Sequence, residues 1–474
     1  MLSILSFVFF ERLAFYSIKS HLFMYIVQYM GYNRMDGIIY VHSFIFLSYL
    51  CCIMCGFIAD RYVGQYLMIS ISLATYILGT LSITVSSVAR SNLFFAAGVL
   101  CVAFSAGGIK PNISSSGAGI VQSIHAAKIA AHKTVQTINS LIVTFFSQFY
   151  FVINLSSFIV LFITPATVSR LLCTLMGSNS FSRGSLHQAD ISEYFLVFAF
   201  SSVSIFISII LFSALMAQCI LRYIFVPKFS VLQEETSQSD SHPYSIVQSL
   251  PIIIGWAIYD QMSSTWIDQG KRMLGTVHIL SYSAHILPSQ MILINSFLLM
   301  VFLPFYNPAM TCLFSIVPLR DTPRHRMSYG LFLIGISYIV YYMIELYLLH
   351  KGPISILFQV PQILIITLGE ALISVSGMTL AYNDGTSDSK SMAMGYWYFN
   401  IALGNLLVIC ISALYKSMGL QIAHQGILYI CLIFIAMVRS LQETANNIPA
   451  RCDAVLLPIC TSRLQPEHVQ SIVM

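Results

Sequence analysis

Charged residues are scarce in this chain of 474 residues. Only 9% of the residues are Asp, Glu, Lys or Arg, whereas 57% are hydrophobic, and this balance lies outside the range of soluble domains. The net charge of +5 includes no basic block with interleaved aromatic residues, so the sequence gives no indication of nucleic-acid binding. We therefore predict a polytopic membrane protein that contacts the lipid bilayer.

The sequence also lacks the signatures of common catalytic and metal sites. No Ser-His-Asp order, metal-ligand cluster or phosphate-binding loop occurs in the predicted loops, so we expect neither an enzyme nor a bound metal or cofactor. Cys52 and Cys55 have redox-motif spacing but fall inside a predicted membrane helix, where packing is the expected use of cysteine. The first apolar run has no basic stretch before it and no small-residue cleavage site after it, so we interpret it as a retained helix.

Twelve apolar segments are long enough to cross a bilayer, which takes about 20 residues in a helix. They cover approximately 2–29, 37–59, 66–88, 93–117, 140–164, 194–225, 248–267, 289–317, 329–349, 354–382, 392–415 and 420–438. The most polar central stretch follows the sixth segment. We predict an all-α membrane protein with an N-terminal six-helix bundle at 1–226, a cytoplasmic linker at 227–247, a C-terminal six-helix bundle at 248–440 and a cytoplasmic tail at 441–474.

Ionisable side chains lie inside the first apolar segment. Arg12, Tyr16 and Lys19 are spaced to share one helical face, with Glu11 about 100° round from Arg12. A charge at the bilayer centre costs about 2.5 to 3.5 kcal/mol on insertion scales, so such residues usually face a bundle interior or a water-filled path. The spacing therefore predicts a polar stripe directed at a central cavity.

The fourth segment carries a lone Lys110 beside Gly107, Gly108 and Pro111. Glycine and proline in an otherwise apolar helix favour a local break, which is tolerated only where the backbone lines a cavity or is buried in protein. A lysine that snorkels to the interface is the alternative.

The embedded charges differ between the two halves of the chain. Arg12, Lys19 and Lys110 lie in the N-terminal half, whereas Asp260 and Glu370 lie in the C-terminal half. A cavity between the halves would suit a zwitterion, with its carboxylate on Arg12 and Lys110 and its ammonium on Glu370. Because one residue spans at most about 3.3 to 3.6 Å, a fixed separation of the poles would select short peptides.

Motifs of one transporter family occur in order along the chain. The loop from Gly56 to Gly64 is similar to the loop motif of the major facilitator superfamily. Gly-Gly-Ile-Lys-Pro-Asn at 107–112 resembles the signature of the proton-coupled oligopeptide transporter (POT) family, and Glu-Arg-Leu-Ala-Phe-Tyr at 11–16 resembles the end of its first-helix motif. Further similar stretches lie at 149–154, 255–261, 369–382 and 390–405, and His42 followed by Tyr49 resembles the second helix of animal peptide carriers.

This resemblance implies a proton-coupled symporter that imports di- and tripeptides and related small molecules by alternating access. It also implies a major facilitator fold, a monomer in the plasma membrane, and protons in place of any cofactor. The implied substrate-binding residues are Arg12, Tyr16, Tyr49, Lys110, Tyr150, Asn154, Trp256, Asn295, Glu370 and Trp397. The implied proton-coupling residues are Glu11, His42 and Glu370, and the implied gating pairs are Lys19 with Asp260 on the outer side and Lys110 with Glu370 on the inner side.

Departures from the family pattern keep other functions open. Val8 stands where the family has its first glutamate, so one coupling carboxylate is missing. An uncoupled facilitator of peptides or of small anions such as nitrate is one alternative, although Glu370 argues against a simple anion carrier. A non-transporting peptide sensor is another.

Residue by residue, ordinary structural roles are also available. The aromatic residues could serve packing or the lipid interface, the asparagines could join helices, and His42 could be a satisfied intramembrane histidine. Glu345 has no counterpart in the family pattern, and we predict an interfacial position for it. The short connection at 349–353 lacks the extracellular domain that animal peptide carriers insert there.

Overall fold

A computed structural model of the chain describes residues 2–129, 135–162, 186–225, 246–279, 282–316, 321–386, 388–419 and 425–446. Most of the predicted linker at 227–247 and of the predicted tail at 441–474 lies outside these residues. Within them the fold is almost entirely helical, as predicted.

The described residues form fourteen α-helices and one small antiparallel sheet. The helices are α1 Leu2–Met24, α2 Arg34–Ile58, α3 Gln65–Ala89, α4 Asn92–Ile129, α5 Val135–Phe162, α6 Leu186–Phe225, α7 Ile246–Tyr259, α8 Thr265–Lys271, α9 Ile292–Phe302, α10 Tyr306–Ile316, α11 Pro323–Lys351, α12 Val360–Asp384, α13 Lys390–Ser417 and α14 Gln425–Asn446. Turns of 3₁₀-helix at Asp260–Ser263 and Leu303–Phe305 interrupt α7/α8 and α9/α10. When each interrupted pair is counted once, the described helices correspond to the twelve predicted segments.

Nine helical stretches among the described residues are long and apolar enough to cross a membrane. The first helix is not one of them, and it carries Glu11, Arg12 and Lys19 within its 23 residues. The seventh is interrupted after Tyr259, which leaves α7 with only 14 residues. The helices that fall short are therefore α1 with its three charged residues, the interrupted seventh helix, and α14, whose apolar part is the shorter stretch Gln425–Ser440.

The predicted break in the fourth segment is wrong, because α4 runs without interruption through Pro111. Pro111 has no N–H to donate to the carbonyl one turn earlier. Neighbouring side chains add hydrogen bonds to the helix around the proline, with the Asn112 amide donating to the Gly108 carbonyl at 2.7 Å and the Ser114 hydroxyl donating to the Lys110 carbonyl at 2.9 Å. The helix is buried over this stretch, so protein groups replace the solvent that a break would need.

The glycines of this segment serve close helix packing. A Cβ atom at Gly107 would lie 2.3 Å from Cys51 Cβ and 2.9 Å from the Cys51 carbonyl carbon on α2. A Cβ at Gly108 would lie 2.0 Å from the Ser72 hydroxyl on α3. The two glycines thus let α4 approach both neighbours, which holds Lys110 in the interior.

Replacement of Gly107 by Ala is therefore expected to destabilise the protein. Backbone atoms of α2 stand in the way of the new methyl group, and overpacking of this kind typically costs about 1 to 3 kcal/mol. Gly119→Ala is a matched control on the same helix, because the nearest atom to its Cβ would be the Tyr382 hydroxyl at 3.8 Å. Thermal unfolding in detergent should show a lower midpoint for Gly107→Ala alone, and equal midpoints for the two variants would contradict this account of α4 packing.

A β-hairpin between α8 and α9 was not predicted. Strands β1 Thr276–Ile279 and β2 Tyr282–His285 pair in antiparallel register, with Thr276 opposite His285. Leu274, just before β1, also bridges to Ser355 before α12. Each strand has only four residues. This is too short for the alternation of apolar and polar residues to identify a strand in the sequence.

The two halves meet most extensively along α2 and α13. At the end that carries the α2–α3 loop, Gln65 Nε2 donates to the Ser391 hydroxyl at 2.7 Å, the Ser116 hydroxyl donates to Gln65 Oε1 at 2.5 Å, and the hydroxyls of Ser115 and Ser391 lie 3.0 Å apart. We call these four residues the inner clasp, because the α2–α3 loop is cytoplasmic when the termini are cytoplasmic. Each of its groups is a hydroxyl or an amide.

Candidate functional site

A cavity lies between the two halves and contains about 1200 Å³ of space, its openings included. Helices from both halves line it, and all ten residues predicted to bind substrate are among the lining residues: Arg12, Tyr16, Tyr49, Lys110, Tyr150, Asn154, Trp256, Asn295, Glu370 and Trp397. Glu11, Lys19 and Asp260 also line it, whereas His42 lies outside the lining. The structure thus brings the predicted set together, and the role of each residue remains a prediction.

The basic wall comes from α1 and α4. Arg12 donates twice to Glu11, from Nε to Oε2 at 2.5 Å and from Nη2 to Oε1 at 2.7 Å. Lys110 Nζ instead lies over two aromatic rings, 3.7 Å from the Tyr49 centroid and 4.2 Å from the Phe15 centroid. It is buried and has no hydrogen-bond acceptor among the described residues. Lys110 is therefore a cation held by ring faces, with all three of its donors available.

The acidic wall centres on Glu370 of α12, which is 2% exposed. Its carboxylate accepts hydrogen bonds from the Tyr150 hydroxyl and from Asn295 Nδ2, the latter at 2.8 Å. Ser374, one turn further along α12, donates to the Tyr150 hydroxyl at 3.1 Å. No Lys or Arg of the described residues forms an ion pair with Glu370, so neutral donors alone hold this charge.

The two predicted gating pairs differ in this structure. Lys19 Nζ lies 3.1 Å from Asp260 Oδ1, which joins α1 to the turn after α7. Lys110 and Glu370 are not in ion-pair contact, since each has the surroundings described above. The contact of Lys19 with Asp260 is present as predicted, and closure by Lys110 and Glu370 stays a prediction.

His42 connects to the first of these pairs through an asparagine. Its Nδ1 lies 2.6 Å from Asn405 Oδ1, and its Nε2 lies 2.8 Å from the Ser264 hydroxyl. Asn405 Nδ2 donates to Asp260 Oδ2 at 2.7 Å. Because the Asn405 amide oxygen can only accept, His42 Nδ1 carries the hydrogen in this bond. The histidine is thereby linked to Asp260 from behind the cavity wall.

Aromatic side chains cover the walls between the charges. The rings of Trp256 and Trp397 meet edge to face with centroids 6.2 Å apart. Gly377 makes room for Trp397, because a Cβ atom there would lie 2.0 to 2.6 Å from three of its ring atoms. Asn154 Nδ2 donates to the Tyr150 carbonyl of its own helix at 2.9 Å, so no bond from this amide group to another helix is seen.

Several residues of the site were not predicted. Tyr259, Ser374 and Tyr398 line the cavity, and Asn405 and Ser264 hold His42. Ser374 lies four residues after Glu370, so helical spacing could have identified it. Asn405 and Ser264 are brought to His42 from sequence positions 363 and 222 residues away, and no local pattern signals such contacts.

The predicted interfacial position of Glu345 is wrong. Its side chain is buried and accepts from Arg272 in a fork, with Nη1 at 2.8 Å from Oε1 and Nη2 at 2.9 Å from Oε2. Gln269 Nε2 adds a third hydrogen bond at 3.2 Å. Arg272 lies in the connection after α8, and this distant counter-charge allows a carboxylate to enter the bundle.

Known proteins resemble the chain in sequence and in fold. The sequence profile of the POT family matches residues 66–234 and 244–428. "Peptide transporter family 2" of Caenorhabditis elegans is 24% identical over 390 residues, which cover 71% of this chain and 46% of that protein. "Peptide transporter family 1" of Drosophila melanogaster is 25% identical over 371 residues, with the same shares. The chain spans about half the length of these curated relatives.

Solved structures of the same fold cover nearly the whole chain. An auto-inhibited POT family peptide transporter has a TM-score of 0.65 at 19% identity, covering 99% of this chain and 98% of its own. A POT family transporter in complex with 5-aminolevulinic acid has a TM-score of 0.65 at 17% identity, and the match covers 94% of this chain and 95% of that transporter. These likenesses confirm the predicted twelve-helix major facilitator fold. Since the POT profile matches well over half of the sequence, the chain belongs to the POT family, whose members are membrane transporters rather than enzymes.

Proposed function

We propose that the chain is a proton-coupled symporter that imports di- and tripeptides by alternating access between its two halves. The observation that carries this proposal is the pair of buried, opposite charges in one cavity: within the described part of the chain, Lys110 has no acceptor and Glu370 has no cation in ion-pair contact. Leaving such groups uncompensated is costly in a low-dielectric interior. A zwitterion supplies both missing partners at once.

Peptide length would be set by the two charged ends. The carboxylate of the substrate would approach Lys110, and its ammonium group would approach Glu370 and its neighbour Asn295. Amino acids reach less far, and long peptides would have to leave one end unbound. 5-Aminolevulinic acid, bound by one structural relative, also carries an amino group and a carboxylate, which supports a site for zwitterions.

Side chains of the substrate would lie against the aromatic and aliphatic lining. Trp256, Trp397, Ile153 and Ile292 belong to it. Apolar burial is not directional, so such a wall accepts substrates of varied side chain while the charged ends fix their orientation.

Proton coupling would use the titratable groups around these poles. Protonation of Glu370 removes its charge, and protonation of His42 adds a charge beside the Lys19–Asp260 pair. Either event changes the balance between the two conformations of the transporter. Glu11 is the third candidate, since it neutralises Arg12 directly. We propose the two halves at 1–226 and 248–440 as the moving units, and a monomer in the plasma membrane as the working form.

Uptake into liposomes tests this proposal. The purified protein would be reconstituted, and uptake of a labelled dipeptide would be measured with and without an inward proton gradient at a fixed membrane potential. Accumulation above the external concentration only with the gradient is the expected result. Saturable uptake that ignores the gradient would indicate a facilitator, and binding without uptake would indicate a peptide sensor.

An uncoupled facilitator is favoured by one observation, the apolar Val8 in the cavity lining. If the missing carboxylate limits coupling, Val8→Glu should steepen the dependence of dipeptide uptake on the proton gradient, because the new group sits one turn before Arg12. Val8→Gln is the matched control, since it adds a polar side chain of the same size without a titratable proton. Equal gradient dependence in the two variants would show that the carboxylate at this position is not limiting.

A further inference from the structure

A second group of charges, built around two buried carboxylates, lies outside the cavity. Asp268 of α8, Arg272 after it and Glu345 of α11 come from the C-terminal half, and Arg34 at the start of α2 comes from the N-terminal half. We call these four residues the outer cluster, because the α1–α2 loop is extracellular when the termini are cytoplasmic. The cavity lining includes none of the four.

The two carboxylates of the outer cluster differ in the contacts that they make with arginine side chains. Glu345 takes the fork of Arg272 with both oxygens, at 2.8 and 2.9 Å. Asp268 has Arg272 Nε at 3.4 Å and Arg34 Nε at 3.3 Å. Its Oδ1 atom is buried yet has no hydrogen bond among the described residues. Asp268 is therefore the carboxylate that depends on Arg34.

An amide network next to the cluster also has an unused acceptor. Gln269 Nε2 donates to Glu345, and Gln269 Oε1 accepts from Gln362 Nε2 at 3.3 Å. Gln362 is fully buried, and its Oε1 atom has no donor among the described residues. Within the described part of the chain, Gln362 Oε1 is therefore a second buried acceptor without a donor, close to Asp268 Oδ1 in the sequence of contacts that runs through Gln269 and Glu345.

Charged and titratable groups face Asp268 from its own segment, from α2 and from α11. Lys271 and Arg272 come from its own segment, Arg34 from α2, and Glu345 with Tyr341 from α11. Arg34 differs from the rest in two ways: its side chain is 55% exposed, whereas that of Asp268 is 2% exposed, and it belongs to the other half. Separation of the halves on the outer side would remove Arg34 and leave the others in place.

We propose that Asp268 is a proton-binding site whose occupancy is linked to opening of the outer face. When Arg34 withdraws, Asp268 Oδ1 loses its ion-pair partner, because Arg272 is forked on Glu345 and Lys271 lies over the Phe23 ring rather than in ion-pair contact with Asp268. Asp268 then takes a proton from external water to form a neutral carboxylic acid. When the halves close, Arg34 returns, the O–H bond breaks and the proton goes back to external water. The inference rests on the alternating access proposed above, but not on the identity of the substrate.

External acid should therefore favour the open outer face. One linked proton can change the ratio of open to closed protein by at most about tenfold per pH unit. Asp268→Asn removes the charge that Arg34 neutralises. In this variant the outer face should open more readily at neutral pH, and its opening should not respond to acid.

Accessibility from outside measures this directly. Ser20 lines the cavity one residue after Lys19, so Ser20→Cys would react with a membrane-impermeant maleimide added outside only when the outer face is open. The labelling rate is divided by the rate for a cysteine placed on the extracellular surface. This ratio corrects for the change in thiol reactivity with pH. The assay needs no peptide, so its outcome is separate from that of dipeptide uptake.

Two aspartates allow a matched comparison. Asp268→Asn should abolish the rise in relative labelling on acidification. Asp36→Asn breaks another ion pair between the halves, that of Asp36 with Lys416, but Asp36 is more exposed, so this variant should keep the rise. Arg34→Gln removes the competitor of the proton at an exposed position and should also abolish the rise, which tests the linkage even if Asp268→Asn does not fold.

Three results would overturn the proposal. Asp268→Asn or Arg34→Gln could retain the acid response of the parent, Asp36→Asn could lose it as well, or the parent could show no response at all. Loss of the acid response in Asp36→Asn would mean that charged contacts of the outer face in general, and not Asp268 in particular, produce the response. A parent that opens with acid through Asp268 but transports no dipeptide would leave this site standing and would refute the proposed substrate.

Discussion

Glu370→Gln is expected to abolish the preference for substrates with a free amino terminus. The substitution keeps the shape of the side chain and removes the charge that would pair with the ammonium group. Loss of one partner of a buried charge pair costs about 2 to 5 kcal/mol, so uptake of a free dipeptide at low concentration should fall by at least roughly 30-fold. Uptake of the labelled free dipeptide into liposomes, with the N-acetylated form as competitor, measures both effects.

The N-acetylated dipeptide serves as the matched substrate control. In the wild-type protein, the N-acetylated dipeptide should inhibit uptake of the labelled free dipeptide only weakly. In the Glu370→Gln variant, it should inhibit that uptake as strongly as unlabelled free dipeptide does. Glu370→Asp keeps the charge on a shorter stem and should retain part of the preference. If wild-type protein takes up free and N-acetylated dipeptides equally, Glu370 does not read the amino terminus.

Lys110→Met is expected to stabilise the substrate-free protein while it abolishes uptake. Lys110 is a buried cation without a hydrogen-bond acceptor among the described residues, and replacement of buried charge by apolar groups is often neutral or stabilising, by about 1 kcal/mol or more. The same change removes the partner of the substrate carboxylate, so uptake should fall by at least roughly 30-fold. Thermal unfolding of the empty protein and uptake by the same preparation give the two readouts.

The opposite signs of these effects make the test specific. A purely structural lysine would lower both stability and uptake when replaced. Lys110→Arg keeps the charge and should retain more uptake than Lys110→Met, and a dipeptide amide, which has no carboxylate, should bind wild type and Lys110→Met alike. A lower unfolding midpoint for Lys110→Met would contradict the proposal that Lys110 is an uncompensated cation in the substrate-free protein.

The sequence allowed prediction of the features whose energetic cost is local. A charge in an apolar segment is costly wherever it occurs, so the sequence alone predicts that Arg12, Lys19, Lys110 and Glu370 face a cavity. All four line one cavity. The twelve helical segments follow from the same reasoning about apolar length.

Features that depend on partners far along the chain were not predicted. Glu345 looked interfacial because Arg272 stands 73 residues away, and His42 could not be connected to Asn405. The expected break in α4 is absent for a related reason, since this stretch of the helix is buried against other elements, among them α2 at Gly107. In each case tertiary contact outweighs what the local residues favour.

The inner clasp and the outer face close the transporter with different chemistry. Gln65, Ser115, Ser116 and Ser391 hold the inner end through neutral hydrogen bonds, whereas Arg34 with Asp268 and Lys416 with Asp36 are charged contacts between the halves with exposed members. Mobile ions screen exposed charges over about 8 Å at physiological ionic strength, but they leave neutral hydrogen bonds almost unaffected. Salt on the two sides of the membrane would therefore act unequally. It would loosen the outer contacts and leave the four residues of the inner clasp unchanged, and at the inner end it would screen Asp60, which accepts from the Met392 N–H at 2.7 Å.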